Sequence, residues 1–341
     1  MTGLPLLADV AGAAEHCSYC PKMCRFACPV AEATGLESVT PWGIDRVITQ
    51  MARGVTLSAA EQEPVWACTG CRQCGGACVP GLDLPTHVRA ARAVAVKPPG
   101  IDAAAGREVG PDAALADGAT PGASLVIYPG CRSEDGAALG QLLHAAGIAY
   151  DVIGAATCCG ARDADIGGPD TATQRALQVA EALAGASSVI VADPHCARWL
   201  SVDMGDTRVR TVTAFLAELV GDLPLTGSAQ AVTWHDPCWL GRGMTEYDQA
   251  RVVVSAAAGG PALEPEHTRD RAWCTGGGMG YPETDPAGAA EVLRRRAEDL
   301  RATGATVAVT ACPTAAQRLR LAGLDAYDLP SYVASRLQGA P

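Results

Sequence analysis

The residues best equipped for chemistry lie in two cysteine runs, Cys17-Ser-Tyr-Cys20-Pro-Lys-Met-Cys24-Arg-Phe-Ala-Cys28-Pro and Cys68-Thr-Gly-Cys71-Arg-Gln-Cys74-Gly-Gly-Ala-Cys78-Val-Pro. The second is spaced C-x2-C-x2-C-x3-C with Pro80 close behind; the first has one extra residue, C-x2-C-x3-C-x3-C-P. A short loop bearing three thiolates can wrap one face of a 4Fe-4S cube, while the fourth cysteine, on the following turn, points toward a neighbouring cluster. By that rule Cys17, Cys20, Cys24 and Cys78 hold one cluster, and Cys68, Cys71, Cys74 and Cys28 the other. C-x2-C pairs also serve as zinc knuckles, so zinc is the competing expectation, but zinc rarely needs four closely spaced thiols followed by proline, twice.

Something must bring the two runs together. Between them, Thr40-Pro41-Trp42-Gly43 reads as a helix start, and Ile44, Val47, Ile48 and Met51 repeat at helical spacing up to Arg53-Gly54. A further helix is expected from Leu84 onward, ending before Pro98-Pro99-Gly100. Residues 98–123, rich in Ala, Gly, Asp and Pro, read as a linker. The 341 residues suggest two or three domains. A hydrophobic fraction of 48% with only 4% aromatic residues points to helices packed through small side chains.

The net charge of -11 argues against nucleic acid as a partner, since phosphate contacts need Lys and Arg. The start of the chain lacks the pattern of a secretory signal, and the cysteine spacings are metal-like, so reduced thiols in the cytoplasm are the expectation. No apolar run approaches the roughly 18 residues of a transmembrane helix.

From Ser124 short apolar strands alternate with helices. Leu125–Tyr128 precedes Cys131, Tyr150–Ile153 precedes Cys158-Cys159-Gly160, and Ser188–Val191 precedes Asp193-Pro194-His195-Cys196. The grammar recurs: Ala231–Trp234 leads to Asp236-Pro237-Cys238, Ala272-Trp273-Cys274 to Thr275-Gly276-Gly277-Gly278, and Val307–Thr310 to Cys312-Pro313-Thr314. Alternation of this kind argues for mostly parallel sheets, and the repeat for an internal duplication over about 124–222 and 229–338. Ligands collect outside the carboxyl ends of parallel strands, where all seven remaining cysteines fall. The glycine run after Cys274 lacks the Lys-Ser/Thr of a phosphate loop and is better suited to letting backbone approach a cluster. His195 and His235 could be unusual ligands or proton carriers, though a supporting role in the turn is the plainer expectation.

Taken together, the two ferredoxin-like runs, Cys158-Cys159-Gly160, Asp236-Pro237-Cys238, Cys274-Thr-Gly-Gly-Gly and Cys312-Pro313 resemble the cysteine-rich, CCG-domain iron–sulfur oxidoreductases. That family includes the iron–sulfur subunit of glycolate oxidase, the lactate-utilisation iron–sulfur protein, one of the subunits of anaerobic glycerol-3-phosphate dehydrogenase, and heterodisulfide reductase subunits. The resemblance implies an α+β protein: a mainly helical two-cluster ferredoxin-like domain over 1–97, a first CCG-like domain over 124–222, and a second, degenerate one over 229–338. A full family unit carries five thiols. Here the first half supplies Cys131, Cys158, Cys159 and Cys196, with Asp193 where a fifth is expected; the second supplies Cys238, Cys274 and Cys312, with Thr275 and Ala315 at the other two positions. By the resemblance, the first set, with Asp193 as an oxygen ligand, could hold a third cluster or zinc, and the second set could keep a cluster with a non-cysteine ligand or an open iron, bind zinc, or have lost its metal.

The activity implied is single-electron transfer between a partner FAD-dependent dehydrogenase, acting on a 2-hydroxy acid or similar small substrate, and a quinone or other carrier. That would place the chain in the cytoplasm or on the inner face of a membrane, where a partner could supply a membrane-bound acceptor. The alternatives are a catalytic heterodisulfide or disulfide reductase, against which the missing thiols count, and a zinc-stabilised scaffold subunit.

Overall fold

The helix Pro41–Ala52 forms as its sequence directs: Thr40 Oγ1 accepts from the Gly43 amide at 3.1 Å, and Pro41 takes the first helical position. Its buried face, Ile44 and Ile48, packs with Val10 and Ala14 of the helix Leu7–Cys17 and with Val88 and Ala91 of the helix Leu84–Arg92. This three-helix layer carries both cysteine loops. The computed structural model describes residues 4–106, 113–130, 136–153, 157–228 and 230–339; Cys131 lies outside them.

The two loops share one backbone course. Lys22 (φ 65°) and Arg72 (φ 59°) each sit in the left-handed region, each opens a 3-10 turn (Met23–Ala27 and Gln73–Ala77), and each turn ends on an extended cysteine, Cys28 or Cys78. Left-handed backbone is uncommon for side chains of this size. Its recurrence at matching positions shows that both loops are bent to the same purpose.

Beyond residue 123 the chain builds two parallel sheets. The first contains β1 (Leu125–Tyr128), β2 (Asp151–Val152), β3 (Ser188–Val191) and β4 (Val209–Thr211) in the order β2-β1-β3-β4; the second contains β5 (Val232–Trp234), β6 (Val307–Thr310) and β7 (Ala326–Asp328) in the order β5-β6-β7. Leu263 makes a lone parallel bridge to Thr233 of β5, which matches the place of β2 beside β1. The architecture is α+β, with the two α/β units repeating one another.

Two expectations need correction. Ala272-Trp273-Cys274 is not a strand: Ala272 closes the 3-10 turn Arg269–Arg271, and the segment runs as a loop among the described strands. The helix expected from Leu84 does end before Pro98, at Arg92. Residues 98–123 contain a 3-10 turn, Ile101–Ala104, and a short helix, Ala113–Asp117, with Ile101, Ala104 and Leu115 buried. No helix among the described residues is long and apolar enough to cross a membrane.

Candidate metal centres

Electrostatic contact sorts the eight thiols of the two runs into two groups. Cys17 feels Cys24 and Cys78, and Cys24 feels Cys78 and Cys20; Cys28 feels Cys71 and Cys68, and Cys74 feels Cys71, Cys68 and Cys28. Each run therefore places its fourth cysteine with the other run. Cys17, Cys20, Cys24 and Cys78 line one cavity of about 20 Å³. Burial, reinforced by the Asp45 carboxylate, raises the Cys17 thiol, and burial pushes Cys28 up to about 12 and Cys68 up to about 11. Thiols packed this way keep their protons unless a metal replaces them, so the donor sets suit a soft cationic centre.

The surroundings of the two groups differ in charge. Asp45 Oδ2 accepts from Cys17 Sγ at 3.0 Å, and its Oδ1 lies 2.9 Å from His87 Nδ1. Around the other group stand arginines. Arg242 Nε donates to the Cys71 carbonyl (2.6 Å), Arg92 Nη2 to the Cys68 carbonyl (3.2 Å), and Arg72 lies in the loop itself, over the Trp239 ring. The glycine run presses on this loop: a Cβ on Gly278 would fall 2.2 Å from the Thr69 carbonyl oxygen, so only glycine permits the approach.

The remaining described cysteines form two sets. In the first half, Cys158, Cys159 and Cys196 are buried, and the Cys159 thiol hydrogen-bonds with those of Cys158 and Cys196. Asp193 caps the helix Pro194–Arg198, its Oδ1 accepting from the His195 amide at 2.8 Å. In the second half, Cys238, Cys274 and Cys312 line a central cavity of about 40 Å³ together with His195 and Asp165 of the first half and His235. Cys312 holds the cap position of the helix Pro313–Leu321, as Asp193 does in its counterpart, but makes no side-chain cap hydrogen bond; after burial, Asp193 is the main influence raising the Cys312 thiol. The thiols of Cys71 and Cys274 hydrogen-bond to one another, an arrangement that favours the Cys71 thiolate and keeps the proton on Cys274. The central cavity thus abuts the second cysteine run.

Two family models match this chain. The 4Fe-4S dicluster domain covers residues 13–82, and the cysteine-rich CCG domain covers 125–201 and again 232–319. The chain belongs to the CCG-domain iron–sulfur oxidoreductases. Among its relatives, a CoM/CoB fumarate reductase subunit of Methanothermobacter marburgensis is 26% identical over 319 residues, covering 85% of this chain and 64% of that protein. A dihydromethanophenazine:CoB–CoM heterodisulfide reductase subunit of Methanosarcina acetivorans is 29% identical over 226 residues, 60% of this chain and 54% of that protein. The EtfAB:quinone oxidoreductase of Syntrophomonas wolfei is 31% identical over 172 residues, 46% of this chain and 24% of that protein. The chain therefore spans less than two thirds of each of these relatives.

In this CCG-domain protein, His195 and His235 follow β3 and β5. Both are buried, at 8% and 3% exposure, and both line the central cavity. Sequence reading passed over Asp45, Arg92 and Arg242, which lie far in sequence from the cysteines they touch. Their effect on the clusters is testable. A carboxylate beside one centre opposes an added electron and a guanidinium beside the other favours it, so Asp45→Asn is expected to raise the midpoint potential of the Cys17 group, and Arg242→Gln to lower that of the Cys68 group, each by tens of millivolts, roughly. EPR-monitored redox titration reads both; potentials that do not move would show that these charges are screened from the centres.

Proposed function

We propose that the chain is an iron–sulfur electron-transfer subunit that passes single electrons between a partner FAD-dependent dehydrogenase, acting on a 2-hydroxy acid or similar small substrate, and a quinone or other carrier. Two 4Fe-4S clusters are assigned to the exchanged thiol groups, and they would supply one-electron redox chemistry on both sides of a two-electron flavin step. The contact between Cys71 and Cys274 carries this reading, because it joins the ferredoxin-like loops to the central cavity without intervening protein. The relatives named as subunits of reductases and as a quinone oxidoreductase support it.

Zinc fits these sites less well. A zinc ion with bonds of about 2.3 Å holds its sulfurs roughly 3.8 Å apart. Among the described residues, the one trio of candidate ligand atoms lying within 4.8 Å of one another is Glu266, His267 and Asp299, so no trio of thiols is drawn in to zinc's scale.

The test is anaerobic isolation of the chain from its own cells, with iron and sulfide analysis and identification of bound proteins. At least eight irons per chain, a copurifying flavoprotein, and bleaching of the cluster absorbance on addition of a 2-hydroxy acid are expected. Fewer than eight irons after careful reconstitution would sink the two-cluster assignment. Turnover of a disulfide by the reduced chain alone would transfer the function to the reductase reading, which the heterodisulfide reductase relative favours.

A further inference from the structure

We propose that a cavity beside the second cysteine group is a quinone site, with His267 as the residue that gives a proton while the neighbouring cluster gives electrons. This rests on the electron-transfer reading above and names its acceptor and the place where that acceptor binds.

The cavity holds about 450 Å³, against about 40 Å³ for the central one, a size that suits an organic ligand. Of the four thiols assigned to the second cluster, only Cys28 lines it, so the cavity lies beside that cluster and not within it. An electron leaving through Cys28 therefore reaches the cavity without crossing other protein. Gln73 and Gly76 of the 3-10 turn Gln73–Ala77 border it as well, while His267, Trp273 and Val292 reach it from the second α/β unit. Phe26, also in the lining, is 73% exposed, which sets an aromatic ring at a mouth open to solvent.

Two polar groups of the lining lack partners among the described residues. Gln73 Oε1 is buried and unpaired, a state that costs free energy until a ligand or water relieves it. His267 uses only Nδ1, which lies 3.2 Å from Asp299 Oδ1, and this leaves Nε2 as the working nitrogen. The imidazole is held in plane by Trp273, with centroids 3.8 Å apart and planes 21° from parallel. Arg296 braces the same place, donating to the His267 carbonyl at 2.7 Å and to Asp299. An amide and an imidazole can each donate to a quinone carbonyl and accept from a quinol hydroxyl, so both oxidation states are served. Charge selects against an anionic carrier. Arg271 and Arg295 are balanced by Glu32 and Asp270 in the lining, and Arg295 is taken up by Glu291 (3.0 Å) and Glu32 (3.6 Å). The phosphates of a flavin or nicotinamide nucleotide call for cations free to meet them, whereas a neutral ring with two carbonyl acceptors needs none.

The step balances on groups already named. The cluster ligated by Cys28 gives two electrons, one at a time, and is re-reduced from the partner dehydrogenase. The two C=O groups of the quinone become C–OH as His267 Nε2 gives one proton and water at the open mouth gives the other. The imidazole, 27% exposed, regains its proton from solvent, while Asp299, 6% exposed, keeps the ring oriented in both states.

The test uses the full chain, reconstituted anaerobically with iron and sulfide, reduced with dithionite and mixed with menadione, a naphthoquinone without a long tail. Cluster absorbance should recover at a rate that saturates as menadione is raised. His267→Phe keeps a ring on Trp273 but removes Nε2, and should raise the half-saturating concentration or cut the limiting rate about tenfold, the scale of one hydrogen bond to a charged group. Gly76→Trp adds bulk at a lining position where a Cβ would meet nothing within 4 Å, and should abolish saturation. Both variants should keep the wild-type iron content and the wild-type rate of reoxidation by ferricyanide, which needs no site. A wild-type rate that stays linear in menadione, or saturation that neither variant changes, would overturn the proposal. Photolabelling of the unaltered chain with an azido-naphthoquinone covers the case in which a variant fails to fold: the label is expected on the segments around Phe26 and Trp273, and a label confined elsewhere would overturn the proposal too. Each of these failures leaves the electron-transfer reading intact where a flavoprotein copurifies and about eight irons are bound; only a lower count would remove that reading.

Discussion

Replacing Cys78 with alanine is expected to empty the cluster of the first cysteine run, although Cys78 belongs to the second. Its thiol groups with Cys17 and Cys24 and borders the same cavity as Cys20. The reciprocal change, Cys28→Ala, should empty the cluster of Cys68, Cys71 and Cys74, whose thiols it faces. Each variant should lose up to about four irons and one of the two all-cysteine EPR signals, and the two variants should lose different signals. The groups are neighbours, since Cys74 also feels Cys24, so spin coupling between the clusters should vanish in both variants. If Cys78→Ala instead disturbed the Cys68 group, each run would hold its own cluster and the exchange would be wrong. Fourth ligands that cross between loops also make the loops interdependent: neither can move away without opening the other's cluster. That interdependence matches the shared backbone course of Lys22 and Arg72.

The eight ferredoxin-like cysteines and the repeated strand pattern were legible because metal ligation and parallel strands leave short, local signatures. The helix Pro41–Ala52 was legible for the same reason, with its cap, its proline and its apolar face all within thirteen residues. The central cavity was not. It forms where β5 and β6, the loop after Trp273 and the helix Pro194–Arg198 meet, and no sequence window spans them. His195 stands beside Cys196 of the first half, yet it lines the same cavity as Cys238 and Cys312. Ala272-Trp273-Cys274 misled in the opposite way, since three residues that suit a strand fold as a loop when glycines follow and a 3-10 turn precedes. The recurrence of Asp-Pro and Cys-Pro at equivalent caps was visible, and it was the signal that could have paired the two halves across one cavity.

Arg92→Ala is expected to cost about 3–5 kcal/mol, the scale for removing a buried charge and stranding its partners. Arg92 is 1% exposed and donates to four carbonyls: Val65 (2.8 Å) and Cys68 (3.2 Å) near the second cysteine run, Asp165 (2.8 Å) in the first α/β unit, and Met279 (2.6 Å) in the second. One guanidinium thus ties together all three parts of the chain. Burial lowers its pKa to about 10, still charged at neutral pH, and its stacking over Trp66 at 4.8 Å adds a contact that lysine reproduces poorly. Arg92→Lys should therefore recover only part of the loss. Beside it, burial would raise the Asp165 carboxyl, but Arg89 and His195 hold it well below the usual carboxylate range. A carboxyl depressed by folding stabilises above its unfolded value of about 3.9, and that contribution fades as pH falls toward the folded pKa. Urea unfolding of the reconstituted chain, followed by far-UV circular dichroism and cluster absorbance, should show both signals moving to lower midpoints together in Arg92→Ala, and the wild-type midpoint falling below pH 4. A variant that loses cluster absorbance while its secondary structure unfolds at the wild-type midpoint would show that Arg92 supports the cysteine loop alone and does not join the domains.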